Sequence, residues 1–154
     1  ELVVVVCIAS VVGFVALGFY HKLLVDVERT TLEQNLGIIQ SAVAMKFVAL
    51  YAAGDEAGIK QLARMNPVAL LEEPPEGYLG EFSGPQLDTL DKGSWHFDTK
   101  TRRLVYLVRN EDYFVTELPG PGRAEFYLTG TEEEHTNVPR LQPVAPYSWR
   151  SPWK

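Results

Sequence analysis

The 154-residue chain contains a single cysteine, Cys7, and fewer basic than acidic side chains. One cysteine excludes an intrachain disulfide and a metal site built from several thiolates. Lys and Arg number 14 against 20 Asp and Glu, which gives a formal net charge of −6 at pH 7. Because this charge repels a polyphosphate backbone and the Lys and Arg residues are scattered, we predict that the protein does not bind nucleic acid.

The sequence also lacks the common motifs of catalysis. His21, His96 and His135 are far apart and do not have the spacing of a zinc site, and no Gly-x-Ser-x-Gly nucleophile motif occurs. The acidic run at 132–134 lacks the alternating oxygen ligands of a calcium loop. We therefore predict a protein that is not an enzyme and that has no cofactor and no metal site.

A long apolar run is present at the start of the chain. From Leu2 to Tyr20 the sequence reads LVVVVCIASVVGFVALGFY, without a charge. A helix of this length matches the hydrocarbon core of a bilayer, which is roughly 30 Å thick. A core helix buried on all sides is the alternative, but a domain of this size rarely has a core deep enough to bury it. A secretory signal is disfavoured because its apolar region is typically only about 7–15 residues long.

Beyond Tyr20 the apolar pattern continues on one side of a predicted helix. Apolar side chains recur there at spacings of three, four and seven residues, at Val25, Leu32, Leu36, Ile39, Val43, Phe47 and Leu50. Gly54 and Asp55 mark the end of this helix and the start of another. We predict one helix of about 50 residues with local bending or melting near Gly18. The predicted contacts between this helix and a sheet involve Leu32, Leu36, Ile39, Val43 and Phe47.

Downstream of the helix the sequence predicts a small α+β head. Asp55 and the Asn66–Pro67 pair are start signals for short helices, and the Gly- and Pro-rich segment 78–93 is predicted to be an irregular connector. Alternating patterns at 95–97, 103–109, 113–118 and 124–129 predict antiparallel strands that cover the helix. Repeated prolines after 131 predict an extended tail over the sheet. Two interpretations of Trp149 and Trp153 remain, attachment of the tail or an exposed contact surface.

Residues 1–20, ELVVVVCIASVVGFVALGFY, resemble the N-terminal segment of type IV pilins and type II secretion pseudopilins. In those proteins a Glu opens a long apolar helix and a Tyr closes it. The resemblance implies a pilin-like α+β fold, with residues 1–20 as the transmembrane or filament-core segment and residues 21–154 as the amphipathic half and the head. It implies that a basic leader and a few residues precede Glu1 in the precursor. The filament-core side chains would include Leu2, Val5, Ile8, Val12, Phe14, Leu17 and Tyr20.

Glu1 has a specific partner if the resemblance holds. The family implies that this carboxylate neutralises the N-terminal amine of a neighbouring subunit inside the filament. A carboxylate beside hydrocarbon is costly unless it is paired, which fits such a role. The alternative is that Glu1 is a polar flank among lipid head groups, at a helix N-terminus where the macrodipole favours negative charge.

The resemblance implies a structural subunit, a minor pilin or pseudopilin, of a type IV pilus-like filament or a type II secretion pseudopilus. It places the protein in the bacterial inner membrane as a single-pass protein with a periplasmic head, and after assembly in a periplasmic or extracellular filament. The implied partners are other pilin or pseudopilin subunits, the inner membrane, an assembly platform and a prepilin peptidase. The alternative is a single-span membrane-anchored periplasmic scaffold or sensor module.

Overall fold

The structure of the protein, a computed structural model, describes residues 2–84, 86–129 and 138–153. Its longest element is helix α1 (Leu2–Ala52), whose 51 residues extend roughly 77 Å at the standard rise of 1.5 Å per residue. The prediction of one long helix is therefore confirmed. The chain stays helical through Gly18, so the helix does not melt at that position.

Two short helical elements follow at the predicted start signals. The Asp55 side chain accepts a hydrogen bond of 2.8 Å from the Gly58 amide and caps helix α2 (Glu56–Leu62). The Asn66 side chain accepts one of 3.0 Å from the Val68 amide and starts a single 3-10 turn, Pro67–Leu70. Both start signals are confirmed, because each cap satisfies an amide that the first turn of a helix leaves unpaired.

The remaining described elements are strands and two further 3-10 turns, Leu87–Thr89 and Glu111–Tyr113. The strands are β1 (Tyr78–Phe82), β2 (Trp95–Asp98), β3 (Arg103–Leu107), β4 (Phe114–Thr116), β5 (Arg123–Thr129), β6 (Arg140–Pro143) and β7 (Tyr147–Trp149). Five of them form a sheet in the order β1-β2-β3-β5-β6, while β4 pairs with β7. Only the β1–β2 pair among these is parallel. The predicted α+β class is confirmed: a long helix packs on a small, mostly antiparallel sheet, consistent with a pilin-like fold.

Two parts of the sequence prediction were wrong. Segment 78–93 is not wholly irregular, because β1 lies within it. A break in the β1–β2 register between Tyr78 and Glu81, with Gly80 at φ 106°, interrupts the alternation that would have indicated a strand. The tail is not merely extended, because β6 and β7 lie within it. Pro143 is compatible with β6, since β6 is the last strand of its sheet and an edge position does not require an amide donor there.

The main core lies between α1 and one face of the large sheet. Alternation along β3 turns Leu104 and Tyr106 toward α1, and Val105 toward the opposite face. The rings of Trp95 and Tyr106, on paired positions of β2 and β3, have centroids 4.7 Å apart. A second cluster, where α1 meets α2, consists of Val43, Phe47, Ile59 and Leu62.

Candidate functional site

The first half of α1 presents apolar side chains to the outside on every face. All residues from 2 to 21 are exposed, and the most apolar 18-residue window of α1 has a mean hydropathy of 2.9 with none of it buried. The alternative of a core helix buried on all sides is therefore wrong for this half. By length and composition α1 is able to cross a membrane, although an N-terminal signal sequence meets the same criteria.

The candidate filament-core side chains all lie on this exposed half. Their exposed fractions are 78% for Leu2, 62% for Val5, 59% for Ile8, 61% for Val12, 81% for Phe14, 58% for Leu17 and 57% for Tyr20. Glu1, the proposed assembly residue, lies outside the described residues. Within the run, the Ser10 hydroxyl donates a hydrogen bond of 2.8 Å to the Val6 carbonyl. This polar group is thus satisfied inside the helix, as an apolar environment requires.

The second half of α1 is covered by the head on one side. The residues proposed for contacts between the helix and the sheet are found in the two cores. Leu32 and Ile39 are buried in the main core with Leu36 half-buried beside them, and Val43 and Phe47 are buried in the second cluster. A single helix therefore changes from fully exposed to partly covered along its length.

A carboxylate on the second half of α1 attaches the head to the helix. Glu28 accepts four hydrogen bonds from the end of β3 and the turn after it. The donors are the Tyr106 hydroxyl at 2.9 Å, the Arg109 amide at 2.6 Å, and the Asn110 amide and side-chain nitrogen at 3.0 and 2.6 Å. A carboxylate that accepts several such bonds is held firmly in place. The sequence does not indicate this role for Glu28, because its partners lie 78 to 82 residues later in the chain.

The Glu28 contacts also explain two local features of β3. The predicted strand extended to Arg109 but ends at Leu107, because the Arg109 and Asn110 amides turn toward the Glu28 carboxylate instead of a neighbouring strand. Burial, reinforced by the negative charge of Glu28, raises the pKa of Tyr106 well above its usual range. The Tyr106 hydroxyl therefore remains protonated and able to donate to Glu28.

A second polar anchor joins α1 to the edge strand β6. The Gln40 side chain donates a hydrogen bond of 2.9 Å to the Pro139 carbonyl and accepts one of 2.7 Å from the Leu141 amide. One amide group thus pairs with both a backbone acceptor and a backbone donor of the chain leading into β6. Glu28 and Gln40 together hold two separate parts of the head against the helix.

The two tryptophans of the tail make different contacts. Trp149, in β7, is half-buried against Phe114 of β4 with ring centroids 5.0 Å apart, and it attaches the tail to the head. Trp153 instead reaches α1 itself. Its indole nitrogen donates a hydrogen bond of 2.7 Å to the Asp26 carboxylate, and its ring lies beside Phe19 with centroids 5.9 Å apart. Nearly half of Trp153, 49%, remains exposed.

The sheet face opposite α1 carries a buried ionic cluster. Glu125 accepts hydrogen bonds of 2.7 Å from both Arg123 and Arg103, and Arg123 also donates to the Pro119 carbonyl at 2.6 Å. Glu125 and Arg123 are buried, whereas the Arg103 side chain is 38% exposed. His96 lies in the same row of paired residues, through Val105. The two buried charges, on Arg123 and Glu125, pair with each other, and the third, on Arg103, is partly exposed to water, so the arrangement is that of a structural network.

His96 is a titratable group enclosed in the head without a hydrogen-bond partner among the described residues. It is fully buried, its ring packs edge-on against Phe82 at 6.0 Å between centroids, and neither of its ring nitrogens has a hydrogen-bond partner. Burial lowers the pKa of His96, although the charges of Asp98 and Glu125 oppose this. A neutral, enclosed imidazole packed in this way is part of the core.

One cleft of the described chain lies beside the Glu28 anchor. The cleft between α1 and the β1–β2 side of the sheet has a volume of about 370 Å³ and is lined by residues that include Glu28, Tyr106 and Arg109. Its carboxylate, Glu28, already accepts four hydrogen bonds. Within residues 2–84, 86–129 and 138–153, no group of three or more His, Cys, Asp and Glu side chains is placed to hold a metal ion. The acidic run at 132–134 and His135 lie outside the described residues.

Comparisons with known proteins give no further guide: the chain matches no protein-family model, no curated protein and no solved structure. The main candidate for function is therefore the exposed apolar half of α1. Such a surface is compatible with membrane anchoring or with assembly.

Proposed function

We propose that the protein is a structural subunit, a minor pilin or pseudopilin, of a type IV pilus-like filament or a type II secretion pseudopilus. In this proposal the apolar half of α1 lies in the inner membrane before assembly, with the head in the periplasm. After assembly the same helix packs in the filament core. The observation that carries the proposal is the contrast along α1, which is exposed from residue 2 to 21 and covered on one side by the head from Val25 to Phe47.

The energetics of apolar surface support this proposal. Apolar area in water is unfavourable by about 25 cal/mol per Å², and residues 2–20 expose it on all sides. A lipid bilayer removes this surface from water, and so does a bundle of like helices. A subunit that moves from membrane to filament keeps its apolar half out of water in both states, while the Glu28 and Gln40 contacts keep the head attached to the helix.

Glu1 and the implied partners complete the proposal. The resemblance of residues 1–20 to pilins gives Glu1 the role of neutralising the N-terminal amine of a neighbouring subunit. The other partners are further pilin or pseudopilin subunits, an assembly platform and a prepilin peptidase. No enzymatic activity and no cofactor belong to the proposal.

A single-span membrane-anchored periplasmic scaffold or sensor is the second candidate. The exposed apolar half of α1 supports it as well, because an anchor needs the same length and hydropathy. The two candidates differ in one observable respect. Only the filament subunit enters a helical polymer, and only that role requires Glu1.

The test compares filaments sheared from cells that express the full-length precursor as wild type, Glu1→Gln, Glu1→Ala or the control Glu73→Gln. Glu73 is an exposed residue of the head, so the control removes one carboxylate without touching α1. We expect wild type and Glu73→Gln in filaments seen by electron microscopy. Both Glu1 variants should be lost from filaments although their heads remain folded. Without the Glu1 carboxylate, the N-terminal amine of the neighbouring subunit is an unpaired charge in an apolar core, which carries a penalty of several kcal/mol.

Normal incorporation of both Glu1 variants would contradict the assembly role of Glu1. A wild-type protein that stays in the membrane, is not cleaved by a prepilin peptidase and never enters filaments would favour the anchored module. Mass spectrometry of the N-terminus of the membrane-bound protein provides the cleavage result in the same samples.

A further inference from the structure

The C-terminal tail returns to α1 where the apolar run ends. There the Trp153 ring lies beside Phe19, and the Lys22 ammonium is 5.4 Å from the centre of the same ring. The Trp153 indole nitrogen donates its hydrogen bond to Asp26, 127 residues earlier in the chain. Phe19, Lys22 and Asp26 follow one another at spacings of three and four, so they lie on one face of the helix. The indole therefore lies along about two turns of α1.

The chemistry of this contact matches the boundary between hydrocarbon and water. Phe19 belongs to the uncharged apolar run, and Lys22 and Asp26 to the polar helix that follows. Trp and Tyr concentrate at the head-group level of membranes because their rings are apolar with one polar group. Lys side chains near the ends of spanning helices extend their charge toward the lipid phosphates.

Trp153 stays partly exposed although its polar group is already paired. Its one polar group, the indole N–H, is already bonded to Asp26 at 2.7 Å. Nearly half of Trp153, 49%, is still exposed, so this residue is accessible to a further contact that does not use the indole N–H. Tyr20, which is 57% exposed, lies next to Phe19 at the same level of the helix.

We propose that Trp153, Tyr20 and Lys22 form an interfacial anchor that lies in the lipid head-group layer. The partner of this anchor is the lipid surface, and the C-terminal tail sets the depth at which α1 enters the bilayer. The inference rests on the proposed membrane state of α1. A lipid surface is favoured over another protein because the anchor is continuous with the apolar run that ends at Tyr20.

The test uses the full chain in nanodiscs made with phospholipids brominated either near the head group or near the chain end. Bromine quenches tryptophan emission at short range, so the two lipids report depth. Wild type is compared with Trp153→Phe, and the control is Trp149→Phe, which changes a half-buried ring of the head. For wild type, we expect bromine near the head group to quench tryptophan emission more strongly than bromine near the chain end. This difference should persist in Trp149→Phe and disappear in Trp153→Phe.

Insertion of α1 is measured separately through Cys7. This residue is exposed and lies in the apolar run, so a nitroxide attached to it reports contact with the hydrocarbon core by its oxygen accessibility. A nitroxide in hydrocarbon combined with Trp153 emission that neither brominated lipid quenches would overturn the interfacial anchor and leave the proposed function intact. If Trp153 emission becomes protected from quenching only after the subunits assemble into filaments, Trp153 forms a contact between subunits. That result would also overturn the interfacial anchor. A nitroxide exposed to water would refute the membrane state itself.

Discussion

The Glu28 carboxylate accepts a hydrogen bond of 2.9 Å from the Tyr106 hydroxyl, which is 78 residues later in the chain. This bond joins the polar side of α1 to the central strand of the sheet. Because the same carboxylate also accepts from the backbone amides after β3, it fixes the position of a turn as well as a side chain.

We expect Glu28→Ala to lower the free energy of unfolding of the head by about 1–3 kcal/mol or more, since it leaves several donors without their acceptor. Urea unfolding of the full chain in detergent, followed by tryptophan fluorescence, measures the effect. The matched control is Glu33→Ala, which removes an exposed carboxylate of the same helix that pairs with Arg29. Because an exposed ion pair contributes little, this control should change the free energy of unfolding by less than about 0.5 kcal/mol. Equal effects of the two substitutions would refute the anchoring role of Glu28.

Gln40→Ala is expected to loosen β6 from α1. Loss of the two hydrogen bonds to Pro139 and Leu141 should destabilise the head by about 1–2 kcal/mol and speed hydrogen exchange at the Leu141 amide. Gln34→Ala is the control, because Gln34 is an exposed residue of the same helix. The prediction fails if Leu141 exchanges at the wild-type rate in Gln40→Ala.

The ionic cluster on the sheet face opposite α1 predicts that substitutions of Glu125 and Arg123 have non-additive effects on the stability of the head. Glu125→Leu leaves the buried Arg123 guanidinium without its carboxylate and should cost about 3–5 kcal/mol. Adding Arg123→Leu to Glu125→Leu should recover a large part of that loss, because the one guanidinium that then lacks its carboxylate, that of Arg103, is 38% exposed to water. A double variant that is less stable than Glu125→Leu, in thermal unfolding, would contradict this account.

His96 predicts a loss of head stability at mildly acidic pH. Its pKa is lowered in the folded state, so the unfolded chain binds the proton more readily once the pH falls below the ordinary value of 6.5. The folded state therefore loses stability as the pH decreases below 6.5, until it reaches the lowered pKa of the folded state. Thermal unfolding across this range should show a smaller decrease in His96→Leu than in wild type, and identical decreases would exclude His96 as the source.

Asp98 is expected to cause a separate decrease in the stability of the head at lower pH. Burial raises the pKa of Asp98, but hydrogen bonds from the Thr101 hydroxyl and from the Gly84 and Lys100 amides outweigh it, so the pKa lies below 3.8 in the folded state. The stabilisation of the head that follows from this lowered pKa is present above pH 3.8 and is lost as the pH falls below that value. In Asp98→Asn the decrease below pH 3.8 should be smaller, while the decrease that begins at 6.5 should remain.

Periodic and local features of the chain were predictable from the sequence. The long helix follows from the uncharged run and the apolar stripe after it, and the caps at Asp55 and Asn66 follow from residue types that accept hydrogen bonds from nearby amides. β1 was missed because the register break near Gly80 conceals its alternation. β6 and β7 were missed because prolines mask edge strands.

Hydropathy and its period predict one helix with an apolar first half and a one-sided second half, because both depend only on residues close together in the chain. Which polar residues of that helix hold the head depends instead on the tertiary fold. No local pattern sets Glu28, Gln40 and Asp26 apart from the other polar residues of α1, and their partners lie 78 to 127 residues away. Contacts over such separations depend on how the sheet and the tail fold back onto the helix, and no local pattern encodes them.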